Sequence, residues 1–261
     1  MRTRILIFSI LVLGVLTACT PNIYIPNATN IPLPNNKNEL KVGGGYSEAG
    51  YYFEGSYALD SHIVIMADGA GQYTPDTNGA FSQNIFGEIG GGYYSHIGKY
   101  GRFEFIGAYG MGNVAANQFL IPFYLGGSKS LRRYIVNNNY NRITLQGDIA
   151  FSSKYAELGL SAKLSYLNMP GVYYHKQDLD TKSYAVLDDS SLNISQNEFF
   201  FEPCYFINLG IKNVKIHLCV GWSFLIGPDV HFWDLHQLYA GGFAATGITV
   251  DLFRKDLKNS K

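Results

Sequence analysis

A regular alternation of apolar and polar residues constrains the fold of this chain more than any other feature. In the stretch AELGLSAKLSYL, residues 156–167, the even positions carry Ala, Leu and Tyr, and the odd positions up to 165 carry Glu, Gly, Ser and Lys. Successive side chains of a β-strand point to opposite faces, so this stretch predicts a strand with one apolar face and one small or charged face. The same division recurs at 143–151 and at 214–224.

Seven further segments follow the rule less strictly and bring the predicted strands to ten: 39–46, 51–59, 62–73, 84–95, 102–113, 198–209 and 240–253. Pro203, inside the segment 198–209, removes a ladder donor and predicts a bulge there. The connections are tight after the even-numbered strands and mostly longer after the odd-numbered ones, as at 114–141 and 168–197. An even-stranded meander has both ends on the short-turn side, which in an outer-membrane barrel is the periplasmic side. We therefore predict an all-β fold, an antiparallel up-and-down meander of about ten strands closed into a barrel, with short periplasmic turns and longer extracellular loops.

Alternation leaves open which face of these strands points inward. A membrane barrel turns its apolar face to lipid, whereas a soluble lipocalin-like calyx turns it inward around an apolar ligand. The chain is 15% charged and 15% aromatic and contains 29 glycines. Small residues suit a confined lumen, and aromatic side chains such as Trp222 and Phe224 suit the belts where a membrane meets water. These features favour the membrane barrel over the calyx.

The first residues have the layout of a secretory signal. A basic start is followed by an apolar run from Ile5 to Leu16 that is short for a bilayer span, and then by Leu-Thr-Ala-Cys ending at Cys19. The "LTAC" stretch resembles the lipobox of bacterial lipoproteins. This resemblance implies that residues 1–18 are removed and that Cys19 carries the acyl chains. The alternative is an ordinary signal peptide followed by a chance cysteine.

Residues 20–37, TPNIYIPNATNIPLPNNK, hold four prolines and five asparagines and predict an extended tether rather than a helix or strand. We divide the chain into a signal peptide at 1–18, a tether at 19–37, a barrel at 38–254 and a tail at 255–261. Leader, tether and hairpins together resemble small bacterial outer-membrane β-barrel proteins of the lipid-anchored sort. The resemblance implies an outer-membrane location. Because no acidic cluster follows Cys19, we expect the anchor on the periplasmic side.

Charged residues fall on the polar face of the predicted strands. Buried charges need partners, so we predict an ion-pair network that fills and stiffens a narrow lumen. A polar pore or proton path is the alternative. The predicted lumen residues are Lys41, Glu54, Glu88, Arg102, Glu104, Asp148, Glu157, Lys163, Glu202, Lys215, His217 and Asp251.

Cys204 and Cys219 lie on the polar face of adjacent predicted strands. If the turn is Ile211-Lys212, the two cysteines face each other and a disulfide is reachable in the oxidising periplasm. A turn at Lys212-Asn213 pairs Cys219 with Phe206 instead. The sequence leaves both registers, and therefore a disulfide or two free thiols, open.

Two predicted outer loops are rich in Asp and His. Ten-stranded barrels with such residues at the outer rim resemble the omptin proteases, in which carboxylates and a histidine activate water. The same residue types bind divalent metals, for which His231 and His236 are weak candidates. No nucleophile motif such as GxSxG is present, so we expect no enzyme and no cofactor. The rim residues are Asp229, His231, Asp234 and His236, with His175, Asp178 and Asp180 in the other loop.

Charge excludes one class of partner. Twenty basic and twenty acidic residues cancel, whereas a nucleic-acid surface needs a basic excess. Residues 114–141 combine apolar FLIPFYLGG with basic KSLRRY, a surface for glycan, lipid headgroups or a partner protein. We therefore predict a lipid-anchored outer-membrane barrel with a structural or interaction role, in contact with membrane lipid. The alternatives are a narrow pore, a tethered calyx and a rim protease, and the oligomeric state is left open.

Overall fold

The fold is a sheet of antiparallel strands that closes on itself. The computed structural model describes residues 24–75, 80–120, 130–153, 155–180, 186–211, 213–226 and 241–253. The strands are β1 Leu40–Ser47, β2 Gly50–Ala58, β3 Ile63–Pro75, β4 Phe81–Ile97, β5 Gly101–Leu120, β6 Ser130–Ser152, β7 Ala156–Asp180, β8 Val186–Ile211, β9 Val214–Trp222, β10 Phe224–Ile226 and β11 Gly242–Leu252. Within these ranges, no helix is long and apolar enough to cross a membrane.

Strand pairing shows how the barrel closes. Each strand from β1 to β8 pairs with the next, β8 pairs with both β9 and β10, and β11 joins β9 to β1. The closing ladder runs from Leu40 opposite Leu252 to Ser47 opposite Ala245. Because β9 and β10 pair with β8 in one register, they form a single interrupted strand, and the barrel has ten strands. The predicted fold class is therefore confirmed.

Pro203 explains why the ninth barrel strand is interrupted. Its position inside β8 predicted a bulge, but β7 and β8 pair without a register shift there, with Ala162 opposite Pro203. On the other side, pairing of β8 with the ninth strand stops at Cys204 and resumes at Phe201. Proline cannot donate to Trp222, which the register places opposite it. The bulge prediction was wrong, and a local break in the ladder takes its place.

The strands on one side of the barrel are much longer than predicted. Strands β5, β6, β7 and β8 contain 20, 23, 25 and 26 residues. The segments 114–141 and 168–197, predicted as loops, therefore lie largely within strands, and that part of the prediction was wrong. The barrel wall is tall along β5 to β8 and low along β1 and β2.

The wall of the barrel reverses its polarity along its height. On β6, outward Leu145 and Phe151 are exposed while inward Gln146 is buried. Nearer the long connections of the same strand, Val136 is buried inside and Asn139 is exposed outside. The reversal falls at a row of outward amide side chains on neighbouring strands: Gln83, Asn113, Asn141, Asn168 and Asn197. We call these residues the amide ring.

The zone between the amide ring and the short turns has the polarity of a membrane barrel. On β6 its outward apolar residues run from Ile143 to Phe151, which at about 3.3 Å per residue and a tilt of about 40° is roughly 20 Å of height, close to the apolar band of outer-membrane barrels. A calyx would bury its apolar face here, and this zone buries charges instead. We call it the apolar belt.

The N-terminal segment of residues 24–35 lies inside the barrel. All of these residues except Ile25 are buried. The sequence predicted an extended tether outside the barrel, and the structure places this part of it in the lumen instead. Three of its residues are prolines, which carry no backbone N–H. The segment therefore brings fewer backbone N–H donors into the interior. Lumen side chains form hydrogen bonds with several of its remaining backbone N–H and C=O groups.

Candidate functional site: the barrel lumen

The lumen contains every residue that the alternation placed there. Eleven of the twelve are buried, and the side chain of Lys215 is 13% exposed. The structure adds Arg142 and Asp68, both buried, to this set. Arg142 has the parity of the inward residues of β6 but falls just before the predicted start of that strand. Asp68 follows inward apolar residues on β3, so alternation gave no sign of it.

Near the amide ring, an arginine and a glutamate form an ion pair across the lumen. The Nε and Nη2 groups of Arg142 donate to Oε2 of Glu88 at 3.2 and 3.0 Å. The hydroxyl of Thr144 donates to the same oxygen at 3.0 Å, and the guanidinium lies 4.1 Å from the ring centroid of Phe86. These contacts hold the buried guanidinium of Arg142 within hydrogen-bond distance of Tyr24.

Tyr24 attaches the N-terminal segment to this cluster. Its hydroxyl donates to Oε1 of Glu202 at 2.9 Å and accepts from Nη1 of Arg142 at 3.0 Å. Its ring packs against Phe200 and Tyr140, with centroid distances of 5.0 and 5.6 Å. Tyr24 therefore joins the polar cluster below it to the apolar cluster of the upper lumen.

Halfway down the lumen, side chains from two strands, β3 and β6, hold the segment. The Asn27 amide donates to Oδ1 of Asp68 at 2.9 Å. The Gln146 amide donates to the backbone carbonyl of Asn30 at 2.8 Å. These contacts give the segment a fixed register against the wall.

Close to the short turns, the wall holds the backbone of the segment by charge-assisted hydrogen bonds. Lys41 Nζ donates to the carbonyl of Ile31 at 2.6 Å. The Leu33 N–H donates to Oε2 of Glu104 at 2.7 Å, and Arg102 donates to the Leu33 carbonyl. Leu33 has a φ of 38°, which is costly for a residue with a side chain, and both of its polar backbone groups are held.

Below Leu33, four charged side chains form a connected ion network. Arg102 pairs with Glu157. Lys215 Nζ lies 3.6 Å from Oε2 of Glu157 and 3.2 Å from Oδ2 of Asp251. Asn208 donates to Oε1 of Glu157 at 2.8 Å. The network compensates the desolvation of its members and closes the lumen at its short-turn end.

The two cysteines lie close together although they do not face each other. Ile211 pairs with Val214, which is the second of the two registers considered, and Cys219 stands opposite Phe206. The Sγ atoms of Cys204 and Cys219 are nevertheless 2.7 Å apart and buried, and both residues are free thiols. A diagonal pair in the sheet thus brings the sulfurs together without direct opposition.

The rim residues proposed for metal binding or catalysis are described only in part. Asp229, His231, Asp234 and His236 lie outside the described residues. His175 lies on β7, where its Nδ1 is 3.3 Å from the hydroxyl of Tyr173. In the portion of the chain that the structure describes, no three His, Cys, Asp or Glu residues are grouped to hold a metal ion.

A closed wall with an apolar belt outside and buried charges inside defines an outer-membrane-type β-barrel. No protein-family model and no curated protein matches the sequence. Among solved structures, the chain is similar to the outer membrane protease OmpT from Escherichia coli, with a TM-score of 0.41 and 12% sequence identity over 82% of this chain and 92% of that chain. The wall and lumen of this chain itself carry the assignment to the class.

Proposed function

We propose that the protein is a lipid-anchored barrel of the bacterial outer membrane with a structural or interaction role, and that its lumen is closed to ions. The observation that carries this proposal is the occupation of the lumen by residues 24–35. A ten-stranded barrel offers only modest room beyond that filled by its own side chains. A second length of chain within it takes the space that a water-filled path needs.

The contacts of the segment support permanent closure. It is held from Tyr24 at the amide ring to Leu33 near the short turns, by charged or amide side chains at each height. Removing a partner from a buried hydrogen bond costs about 1–3 kcal/mol, so a segment with several such bonds does not leave its site readily. The narrow-pore alternative therefore has less support than the plugged barrel.

Conductance in planar bilayers tests the closure. We expect the full-length protein to give no steady channels. A variant lacking residues 24–35 is expected to conduct, provided that it still migrates faster before boiling than after boiling in SDS, as a closed barrel does. Steady, reproducible channels from the full-length protein would overturn the proposal.

Acylation of Cys19 is the second part of the proposal and is tested separately. The N-terminal peptide of the mature protein is expected to begin at Cys19 and to carry acyl chains, detected by mass spectrometry. Cys19→Ser removes the modification, and fatty-acid labelling of the cells provides the parallel readout. An unmodified N-terminal peptide that begins at another residue would overturn this part alone.

The tall wall of β5 to β8 supports an interaction role. Above the amide ring its outward face carries exposed Asn137 and Asn139, and the Asn113 amide donates to Oδ1 of Asn139 at 2.8 Å. Such a surface offers fixed donors and acceptors to a glycan or protein partner. We propose no catalytic role; a peptidase activity that His231→Ala or His236→Ala abolishes would overturn that view.

A further inference from the structure

We infer that the acylated Cys19 lies at the long-connection end of the barrel, in the leaflet on the cell surface, with the N-terminal segment passing through the lumen to reach it. This inference rests on the proposed acylation of Cys19. It reverses the periplasmic side that the sequence alone predicted. Its basis is the direction and height of residues 24–35 within the wall.

The direction of the segment follows from its contacts. Its C-terminal end lies at the short-turn end, where the amide of Asn35 donates to Oε1 of Glu39 at 3.2 Å, one residue before β1 begins. Its N-terminal end lies at the amide ring, where Tyr24 contacts Arg142, the neighbour of Asn141. The segment therefore runs through the lumen from the short-turn end, at Asn35, to the height of the amide ring, at Tyr24.

The height of Tyr24 sets where Cys19 can lie. Arg142 precedes Ser152, the end of β6, by ten residues, which correspond to roughly 25 Å of barrel height at about 3.3 Å per residue and a tilt of about 40°. Cys19 is five residue-to-residue steps from Tyr24, which span at most about 18 Å when fully extended. Because the ring of Tyr24 also packs against Tyr140, which lies farther from the short turns than Arg142, this reach is too short for Cys19 to return to the short-turn end.

At the turn between β1 and β2 the barrel wall ends at the height of the amide ring, so the N-terminal segment can leave the lumen there. The turn between β1 and β2 consists of Glu48 and Ala49, and the Asn84 amide donates to the Ala49 carbonyl at 3.1 Å. Asn84 is the neighbour of Gln83 in the amide ring, so this part of the wall ends at the boundary of the apolar belt. A chain crossing the wall here meets the outer edge of the membrane without passing over the tall strands β5 to β8.

Threading would make closure of the lumen irreversible in the membrane. The segment is continuous with β1 at one end, and at the other end the acyl chains resist being drawn out of lipid, at about 0.8 kcal/mol for each buried CH₂ group. The plug cannot slide out toward the periplasm without extracting the acyl chains, nor outward without breaking the pairing of β1. The lipid thus locks the plug in place as well as anchoring the protein.

Thiol labelling of intact cells tests the inference. Thr20→Cys and Asn22→Cys are each reacted with a membrane-impermeant maleimide before and after permeabilisation of the outer membrane. Glu48→Cys marks the long-connection end, Lys99→Cys marks a short turn, and the unsubstituted protein gives the background from the buried Cys204 and Cys219. We expect positions 20 and 22 to react in intact cells as Glu48→Cys does.

The outcomes separate this inference from the proposed acylation. If positions 20 and 22 do not react in intact cells, whether or not they react after permeabilisation, the threaded topology is overturned even when mass spectrometry finds acyl chains. If positions 20 and 22 react in intact cells but mass spectrometry finds no acyl chains, the proposed acylation of Cys19 is refuted and the threading of the segment is supported. In a Cys19→Ser background we expect the same labelling of Asn22→Cys, because the lumen contacts hold the segment.

Discussion

The hydroxyl of Tyr24 donates to the carboxylate of Glu202 across 178 residues of sequence, at 2.9 Å, in the interior of the barrel. The same oxygen accepts a hydrogen bond from Arg142, so one phenol group is the hydrogen-bond partner of two side chains of opposite charge. The contact fastens a segment without regular secondary structure to the barrel wall. The loss of stability when this hydroxyl is removed measures how strongly residues 24–35, the plug of the lumen, are held.

Tyr24→Phe is expected to lower the stability of the barrel by about 1–3 kcal/mol, because it leaves two buried charged groups with one partner fewer. The readout is the temperature at which the fast-migrating form is lost on unboiled SDS gels. Tyr73→Phe, at an exposed tyrosine on β3, is the control and should leave that temperature unchanged. Equal behaviour of the two variants would show that Tyr24 does not hold the plug.

An arginine on the outer face of β6 locates the membrane boundary. Leu145→Arg places a charge in the apolar belt and is expected to cost about 2–4 kcal/mol in lipid. Asn139→Arg, on the same face of the same strand but above the amide ring, is expected to cost little. Unfolding by urea in lipid vesicles measures both. If Leu145→Arg were as stable as Asn139→Arg, the belt would not face lipid.

Glu157 holds together the ion network at the short-turn end. Glu157→Gln leaves Arg102 and Lys215 with less compensation inside the barrel. Removing one partner of a buried ion pair costs roughly 3–5 kcal/mol, so we expect a large loss of thermal stability of the barrel. The control is Lys37→Ala at an exposed position, for which no change is expected. A small effect of Glu157→Gln would mean that water reaches the network.

The two buried thiols are expected to form a disulfide in an oxidising compartment. Their sulfurs are already 2.7 Å apart, so the bond needs little movement of the strands. Mass spectrometry of the protein denatured with an alkylating agent, with and without reductant, reports the state. Alkylation of both cysteines without reductant would contradict the prediction, and Cys204→Ser supplies the reference with one thiol.

A glycine on the inner face of β7 makes room for an aromatic ring. A Cβ at Gly159 would overlap the ring of Phe206 and the carbonyl of Ile149. Gly159→Ala should therefore destabilise the barrel by about 1–3 kcal/mol through overpacking. A Cβ at Gly171, on the same strand, would meet no atom within 4 Å, and Gly171→Ala should be neutral in the same melting assay. Equal melting temperatures would refute the packing argument.

Part of the lumen could be read from the sequence because its residues obey a local rule. Glu104, Asp148 and Glu157 occupy the polar face of strands whose apolar face is obvious, so their parity alone places them inward. Arg142 follows the same parity but lies one residue before 143, where the alternation predicts that the strand begins. Asp68 was missed because its inward neighbours on β3 are apolar.

The upper strands escaped prediction for a physical reason. Along β6 the inward parity stays the same, but the inward residues change from Gln146 in the apolar belt to Val136 above the amide ring. A strand that passes from lipid to water must exchange its apolar and polar faces, so a rule that follows one apolar face ends the strand at the boundary. This exchange of faces is why alternation alone predicts loops at 114–141 and 168–197.

The sequence by itself determined the meander, its closure into ten strands and the inward parity of the charged residues, because alternation, turn length and strand count are local properties of the chain. Only the tertiary structure decided what fills the lumen. The stretch around Asn27 and Asn30 has no periodicity, and its partners lie on strands far away in sequence. The register of Cys204 against Cys219 was also a tertiary decision, since shifting a two-residue turn by one position changes every pair that follows.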